Sequence, residues 1–312
     1  MIQSVTDHES VSGKPAVLQP GVLTLVGTPI GNLDDLSLRA AAALSEADLI
    51  AAEDTRRTRQ LLNHLGIRKK LISYHQHNLR QRQSYLIDQL KAGCRLVLVS
   101  DAGMPGISDP GSELAAACLD EDIPVSAIPG PTALITALVV SGLDTNRFAF
   151  DGFLPVSGQK RKNAVRDLQR ETRTILLYEA PHRLRQTLKD LFANGLGERR
   201  IAVVRELTKR FETILRMTVE EAHQTIQDDM IRGEYVLVLE GLDAYESRVP
   251  QTDRTDDEPD RDLELIQSML QENRSVRDIV RIIAGQSRRS RNALYQLALQ
   301  TEREQKNTTN KA

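Results

Sequence analysis

The chain has 312 residues, 41 of them basic and 43 acidic, with 40% hydrophobic side chains. That length accommodates about two domains, and the near-cancellation of charge excludes a strongly electrostatic nucleic-acid coat, so any RNA contact has to come from local basic patches. Cys94 and Cys118 sit in apolar segments without metal-ligand or redox spacing, which reads as buried thiols in a reducing compartment. No segment has the length and charge-free character of a membrane span. Residues 1–21, with Asp7 and Glu9 in place of an apolar stretch, read as a disordered leader, and a cytoplasmic protein is expected.

Residues 22–26 are a short apolar strand running into the Gly/Pro loop Gly27-Thr-Pro-Ile-Gly-Asn-Leu33, and residues 36–47 carry helical spacing. The loop lacks the Gly-Lys-Ser/Thr ending of a P-loop and the spacing of the dinucleotide fingerprint, which excludes ordinary nucleotide hydrolysis and NAD binding. A second strand, 48–52, ends in Glu53-Asp54-Thr55-Arg56. Its carboxylates suit substrate contacts and equally a helix N-terminus. Arg56, Arg57 and Arg59 open a helix that Gly66 stops. His75 and His77 have no Cys, Asp or Glu partner nearby and read as surface or hydrogen-bonding residues rather than metal ligands.

A helix over 80–92 leads to the apolar strand 95–99, the mark of a buried parallel strand, and then to Ser100-Asp-Ala-Gly-Met-Pro-Gly-Ile-Ser-Asp-Pro-Gly111. Glycine and proline fix the path of this loop and let a ligand approach its backbone. A strand over 123–128 ends in a third small-residue loop, Pro129-Gly-Pro-Thr132-Ala133, before the apolar helix 134–141. Three such loops at the carboxyl ends of strands in one domain predict a binding crevice. The first α/β domain is thus expected over 22–144.

A second α/β domain with a mixed sheet is expected over 145–242. It carries a basic helix with Lys160, Arg161, Lys162, Arg166 and Arg170, and a strand over 174–178 followed by Glu179-Ala-Pro-His182-Arg183. A strand over 201–204 runs into Arg205-Glu-Leu-Thr-Lys209, residues 212–218 have the alternation of an antiparallel partner, and 233–241 is a final strand. Residues 243–262 turn acidic, as a solvated linker does. Beyond them, 263–300 read as a small basic helical unit containing Arg288 and Arg289, and 301–312 as a tail. That unit suits nucleic acid and a solvated charged face equally well.

Ser100 to Gly111 resembles the signature of the tetrapyrrole-methylase-like, class III S-adenosylmethionine methyltransferases, in the branch that methylates a ribose 2'-hydroxyl of bacterial small-subunit ribosomal RNA. The resemblance extends through Thr28-Pro-Ile-Gly-Asn-Leu33, Ala52-Glu-Asp-Thr-Arg56, Ser73-Tyr-His75, Ile128-Pro-Gly130, Gly152-Phe-Leu-Pro155, Tyr178-Glu-Ala-Pro-His-Arg183 and Arg205-Glu-Leu-Thr-Lys209, and covers most of residues 21–241. The basic tail is similar to that branch's helix-turn-helix-like appendage. Met104 and Gly106 depart from the residues more usual at their positions, and Gly130-Pro-Thr132-Ala133 varies the usual small-residue run.

The resemblance implies two α/β domains with S-adenosylmethionine in the cleft between them, a homodimer, and a cytidine of the decoding region of 16S ribosomal RNA in the small ribosomal subunit as target. The cofactor floor then falls to Thr28 and Pro29, to Asp101, Ala102, Gly103, Pro105, Ile107 and Ser108, and to Thr132 and Ala133, with no metal. Asp101 is expected to face the cofactor and Asp109 to cap the following helix. A ribose hydroxyl titrates far above neutral pH, so a base or strong acceptor is expected beside it, with Glu53, Asp54 and Glu179 as candidates and His75 and His182 as alternatives. Arg56, Lys160, Arg161, Lys162, Arg183, Lys209 and the C-terminal arginines Arg288 and Arg289 suit phosphate contacts. With 4% aromatic residues and no tryptophan, backbone and shape recognition is expected in place of a base-stacking platform. A tetrapyrrole C-methyltransferase and a non-catalytic RNA-binding assembly factor are the competing functions.

Overall fold

The computed structural model describes residues 16–76, 78–226, 232–249, 261–272, 274–284, 287 and 291–309. The chain forms two compact units, residues 1–248 and 249–312.

The first unit opens with β1 (Leu23–Val26), α1 (Leu38–Glu46), β2 (Leu49–Ala52), α2 (Thr55–His64), β3 (Leu71–Ser73), α3 (Leu79–Lys91), β4 (Leu96–Val99), α4 (Ser112–Asp120), β5 (Val125–Ile128) and α5 (Ala133–Ser141). The strands form one parallel sheet in the order β3-β2-β4-β1-β5. All four residues of β2 and of β4 are buried, as strands covered on both faces must be. The chain leaves β1 toward β2 and leaves β4 toward β5, on opposite sides of the sheet, so the β1/β4 boundary is the switch point where open α/β sheets hold ligands. The expected leader ends earlier than residue 21: Val17 and Leu18 donate backbone hydrogen bonds to Glu46 Oε2 at 2.8 and 3.1 Å, and Leu18 joins the core around α1.

A second, mixed sheet follows, with β6 (Phe148–Phe153), α6 (Gly158–Arg170), β7 (Thr174–Glu179), α7 (Leu184–Leu191), β8 (Arg200–Arg205), β9 (Thr213–Thr218), α8 (Val219–Thr225), β10 (Tyr235–Leu239) and α9 (Leu242–Arg248). Its order is β6-β7-β10-β8-β9, parallel only between β6 and β7. Helix α5 joins the two sheets: Leu134, Ala137 and Leu138 pack with Leu176, Ala202, Val204, Val236 and Val238 of the second sheet and with Ile30 of the first loop. The expected linker does not begin at 243, because α9 continues the domain. Arg248 pairs with the buried Glu240 at 2.9 Å, and the Tyr245 hydroxyl bonds Glu198.

In the second unit α10 (Arg261–Gln271), α11 (Val276–Ile283) and α12 (Arg291–Thr309) enclose a core of Ile266, Ile279, Val280, Ile283, Leu294 and Ala298. Residues 301–309, expected as a tail, continue α12, and Thr301 is buried. No helix among the described residues is long and apolar enough to cross a membrane.

Arg161, an expected phosphate ligand, is structural. Its guanidinium is 8% exposed and reaches Asp190 Oδ2 at 2.7 Å, the Pro155 carbonyl at 3.1 Å and Thr187 Oγ1 at 2.8 Å, tying α6 to α7. Arg161→Met should therefore remove three hydrogen bonds and the ion pair of Asp190 and cost about 3 kcal/mol, toward the low end for a broken buried pair because Asp190 keeps some solvent and all three partners keep another bond. Denaturant unfolding checks this.

Candidate active site

The loops after β1, β4 and β5 converge at the switch point, and backbone contacts hold them together. Thr28 and Gly103 exchange N–H to carbonyl bonds of 2.9 and 3.0 Å, which bridges β1 to β4 beyond their ladder. Gly27 donates to the Ile128 carbonyl at 3.2 Å, and its backbone crosses that of Gly130 so closely that a Cβ built on Gly27 would lie 2.7 Å from Gly130 Cα. Neither position has room for a side chain.

These loops floor a cleft of about 380 Å³ between the two sheets. Asp101, Ala102, Gly103, Ile107, Ser108, Thr132 and Ala133, all among the residues assigned to the cofactor floor by resemblance, line it. Thr28 and Pro29 line an adjoining recess of about 290 Å³ that shares Asp101 and Arg57 with the cleft. Pro105 lines neither and is buried within its loop. The second sheet supplies the facing wall through Tyr178, Val204, Leu207 and Tyr235. That wall grips the first loop. The Asn32 N–H donates to Thr208 Oγ1 at 3.0 Å, and a Cβ on Gly31 would meet Lys209, Thr208 and Leu207 at 2.5 to 2.8 Å.

The candidate carboxylates separate by environment. Glu53 lines the cleft and accepts the Asp101 N–H at 3.3 Å; burial, together with the charges of Asp101 and Asp54, raises its pKa. Asp101 lies at the edge shared by cleft and recess, where Oδ1 accepts the Asp54 N–H at 2.9 Å and Oδ2 is 3.5 Å from Arg57 Nε. Asp101 thus positions the end of β2 as well as facing the cavity.

Asp54 is absent from the cleft lining. It is the N-cap of α2, accepting the Arg56 N–H at 2.8 Å, and its ion pair with Arg56 helps hold its pKa down at about 2. Glu179 borders the cleft, but its carboxylate is 1% exposed. It accepts from Thr187 and from the Ala180 N–H, and it faces Arg183 at 3.4 Å, so it fixes the turn after β7 and is not free to act as a base. Neither His75 nor His182 lines the cleft.

Asp109 reverses its expected role. The N-cap of α4 is Gly111, and Asp109 points its half-buried carboxyl to the cleft, where burial and the nearby Glu53 push its pKa up to about 6. An Asp-Pro-Gly helix start gives the same sequence signal for a cap as for this arrangement. Arg57 and Tyr178 also line the site; the only hint of it in the sequence is that Arg57 follows one recognised segment and Tyr178 opens another.

Of the expected phosphate ligands, Lys160 and Lys162 are exposed on α6, and Arg56 is 88% exposed although paired with Asp54. Arg183 is turned inward, donating to the Leu154 and Pro155 carbonyls beside Glu179, and Lys209 is held between Glu206 and Glu234 at 2.9 Å each. Both are thereby withdrawn from that set. Arg288, Arg289 and His77 lie outside the described residues. Among the described residues no group of three or more His, Cys, Asp or Glu side chains could hold a metal ion.

The family profile described as Tetrapyrrole (Corrin/Porphyrin) Methylases matches residues 22–223, which include the three floor loops and all of the facing wall named above except Tyr235. Among curated proteins, the chain is 44% identical over 282 residues to a ribosomal RNA small subunit methyltransferase I of Synechocystis sp., covering 90% of this chain and 99% of that one. It is 39% identical over 300 residues to the protein of that name from Vibrio cholerae, covering 95% and 99%. Among solved structures, a cobalt precorrin-4 methyltransferase superposes with a TM-score of 0.55 at 18% identity over 70% of this chain and 95% of that chain. A uroporphyrin-III C-methyltransferase from Thermus thermophilus, solved with S-adenosylhomocysteine, superposes at 0.51 and 20% identity over 70% and 96%. The chain therefore belongs to the tetrapyrrole methylase family and is a methyltransferase whose methyl donor is S-adenosylmethionine.

Proposed function

We propose that the protein methylates the 2'-hydroxyl of a cytidine ribose in the decoding region of 16S ribosomal RNA. One observation carries the ribosomal reading: 39 to 50% identity, over most of the chain, to curated relatives named ribosomal RNA small subunit methyltransferase I. The cytidine and its 2'-hydroxyl rest on the motif resemblance of the loops and of the Glu53 and Glu179 segments. Such a substrate places the reaction in the cytoplasm.

The cleft residues fit a cationic methyl donor. Glu53, Asp101 and Asp109 are among the acidic residues that border it, and Ala102, Gly103 and Ala133 keep its floor shallow enough for a ligand to reach backbone groups. Bound there, S-adenosylmethionine supplies an electrophilic methyl group whose sulfonium charge disappears on transfer. The protein's part is to hold the acceptor oxygen in line, a contribution that can reach about 7 to 11 kcal/mol of the barrier, and to take its proton. Glu53 takes that proton, because among the three proposed catalytic carboxylates it is the one with a cleft-facing side chain not already committed to a cap or a buried network. Asp109 adds negative charge beside it as pH rises through about 6.

Lys160 and Lys162 present positive charge for the RNA backbone, with Arg277 on α11 as a further exposed cation. The protein works as a homodimer. Helix α5 is apolar on all sides, yet Ile135 is 42% and Val139 68% exposed, which a second copy would cover.

Labelled S-adenosylmethionine incubated with small ribosomal subunits tests the reading. Label should appear on one cytidine ribose; label in a porphyrinogen and none in RNA would overturn it. Glu53→Gln keeps the acceptor oxygen for the Asp101 N–H and removes the base, so kcat should fall 100-fold or more while donor binding by calorimetry is retained. For Asp109, the folded pKa of about 6 exceeds the unfolded value near 4. The folded protein keeps a proton there that the unfolded chain has lost, and stability therefore declines as pH rises across that window. Asp109→Asn should then stabilise the protein by about 2 kcal/mol at pH 7.5, after allowance for its partial exposure, and by almost nothing at pH 4.

A further inference from the structure

The rim of the cleft carries an aromatic group that neither the donor site nor the proton transfer uses. In β6 the pairing with β7 slips between Phe150, opposite Leu176, and Gly152, opposite Leu177, so that Asp151 is an extra residue. A regular strand would put Phe150 and Phe153 on opposite faces. The bulge puts them on the same one. Both rings meet Tyr178 edge to face, with centroids at 4.9 and 5.7 Å. Bulges recur beside active sites because they re-aim a side chain in this way.

Phe150 is half-buried in the core between the sheets, whereas Phe153 lines the cleft and is 52% exposed. Ile107, 42% exposed, lines the same cleft from the long loop after β4. The two are held in register where Ser108 meets Gly152: a Cβ on Gly152 would stand 3.4 Å from Ser108 Oγ, and both residues have left-handed backbone, φ 60° and 61°. A half-exposed ring edge-packed on a second ring, with an exposed aliphatic side chain on the adjoining loop of the same methyl-transfer cleft, is suited to a flat unsaturated ligand.

We propose that Phe153 is the stacking platform for the nucleobase of the nucleotide being methylated, with Ile107 closing on its other face. This rests on the ribosomal RNA reading above. Stacking is indifferent to base identity, so Phe153 is a substrate-positioning residue: it holds the nucleotide with its ribose toward the donor and leaves the choice of site to the surrounding RNA. The low aromatic content of the chain argued against a stacking platform, but one ring suffices when a bulge and a tyrosine hold it.

The test is methylation of small ribosomal subunits by the full-length protein with Phe153 replaced. The wild-type protein in the same assay reports on the ribosomal reading independently: it must methylate the RNA for that reading to stand. Phe153→Ala should raise KM for the subunits at least tenfold, with KM for S-adenosylmethionine and Tm unchanged. Phe153→Leu, which keeps an apolar side chain but no ring, should behave like alanine, and Phe153→Tyr and Phe153→Trp should restore the wild-type KM. A leucine variant as good as wild type would overturn the proposal, since it would show that apolar bulk alone is needed. So would a Phe153→Ala variant that elutes as a smaller species in gel filtration, because the ring would then cover a second copy of the chain.

Discussion

In the first unit two backbones touch. Gly27 leaves β1 and Gly130 leaves β5 along paths that leave no room for a Cβ between them, and Thr28 then pairs with Gly103 from the loop after β4. Because peptide groups rather than side chains make these contacts, the floor has no rotamers to rearrange, and its N–H and carbonyl groups lie at fixed positions. The switch-point topology brings three strand ends together, and the glycine crossing sets how near they come. The acting side chains proposed from the first sheet, Glu53, Asp101, Asp109 and Ile107, project from segments fastened to that floor.

The facing wall is built on a different principle. Helix α5 belongs to the first sheet's run of elements but packs its apolar side on the second sheet, so the two sheets share a core instead of meeting across water. Behind the wall, Arg161, Asp190, Thr187, Glu179 and Arg183 form a continuous polar network that holds the end of β7 and the turn after it. Buried charges persist when each has a partner, and here each does. The network explains why basic and acidic residues in recognisable segments serve as scaffold.

Much of this was legible in the sequence, and the exceptions have identifiable causes. The loops announced themselves because glycine and proline at strand ends have few other uses, and the parallel sheet because β2 and β4 are apolar without alternation. Arg161 was misread although its position carried a signal: it shares a helical face with Val165 and Leu168, and all three are buried. Asp109 was misread for a better reason, since the same three residues that start a helix also turn a carboxyl toward a cleft, and the choice depends on packing beyond the segment. The bulge in β6 left no trace at all. Alternation alone would have sent Phe153 to the far face, and a single extra residue inverts that inference.

The grip of the second sheet on the first loop has a consequence for motion. Glu206 and Thr208, on either side of the cleft-lining Leu207, hold φ of 54° and 63°, a conformation that costs residues with a Cβ of order 1 kcal/mol or more each. At that turn the loop is fastened by one hydrogen bond, from Asn32 to Thr208, and by the close fit of Gly31. The turn's own bonds, from the Thr208 N–H to Glu212 Oε2 at 2.7 Å and from the Glu234 N–H to Glu206 Oε1 at 2.9 Å, hold that conformation independently of the loop. Releasing the loop therefore does not by itself relax the turn, and the segment that carries Thr28 and Pro29 is fixed from two directions, by the glycine crossing at one end and by a preformed turn of the second sheet at the other.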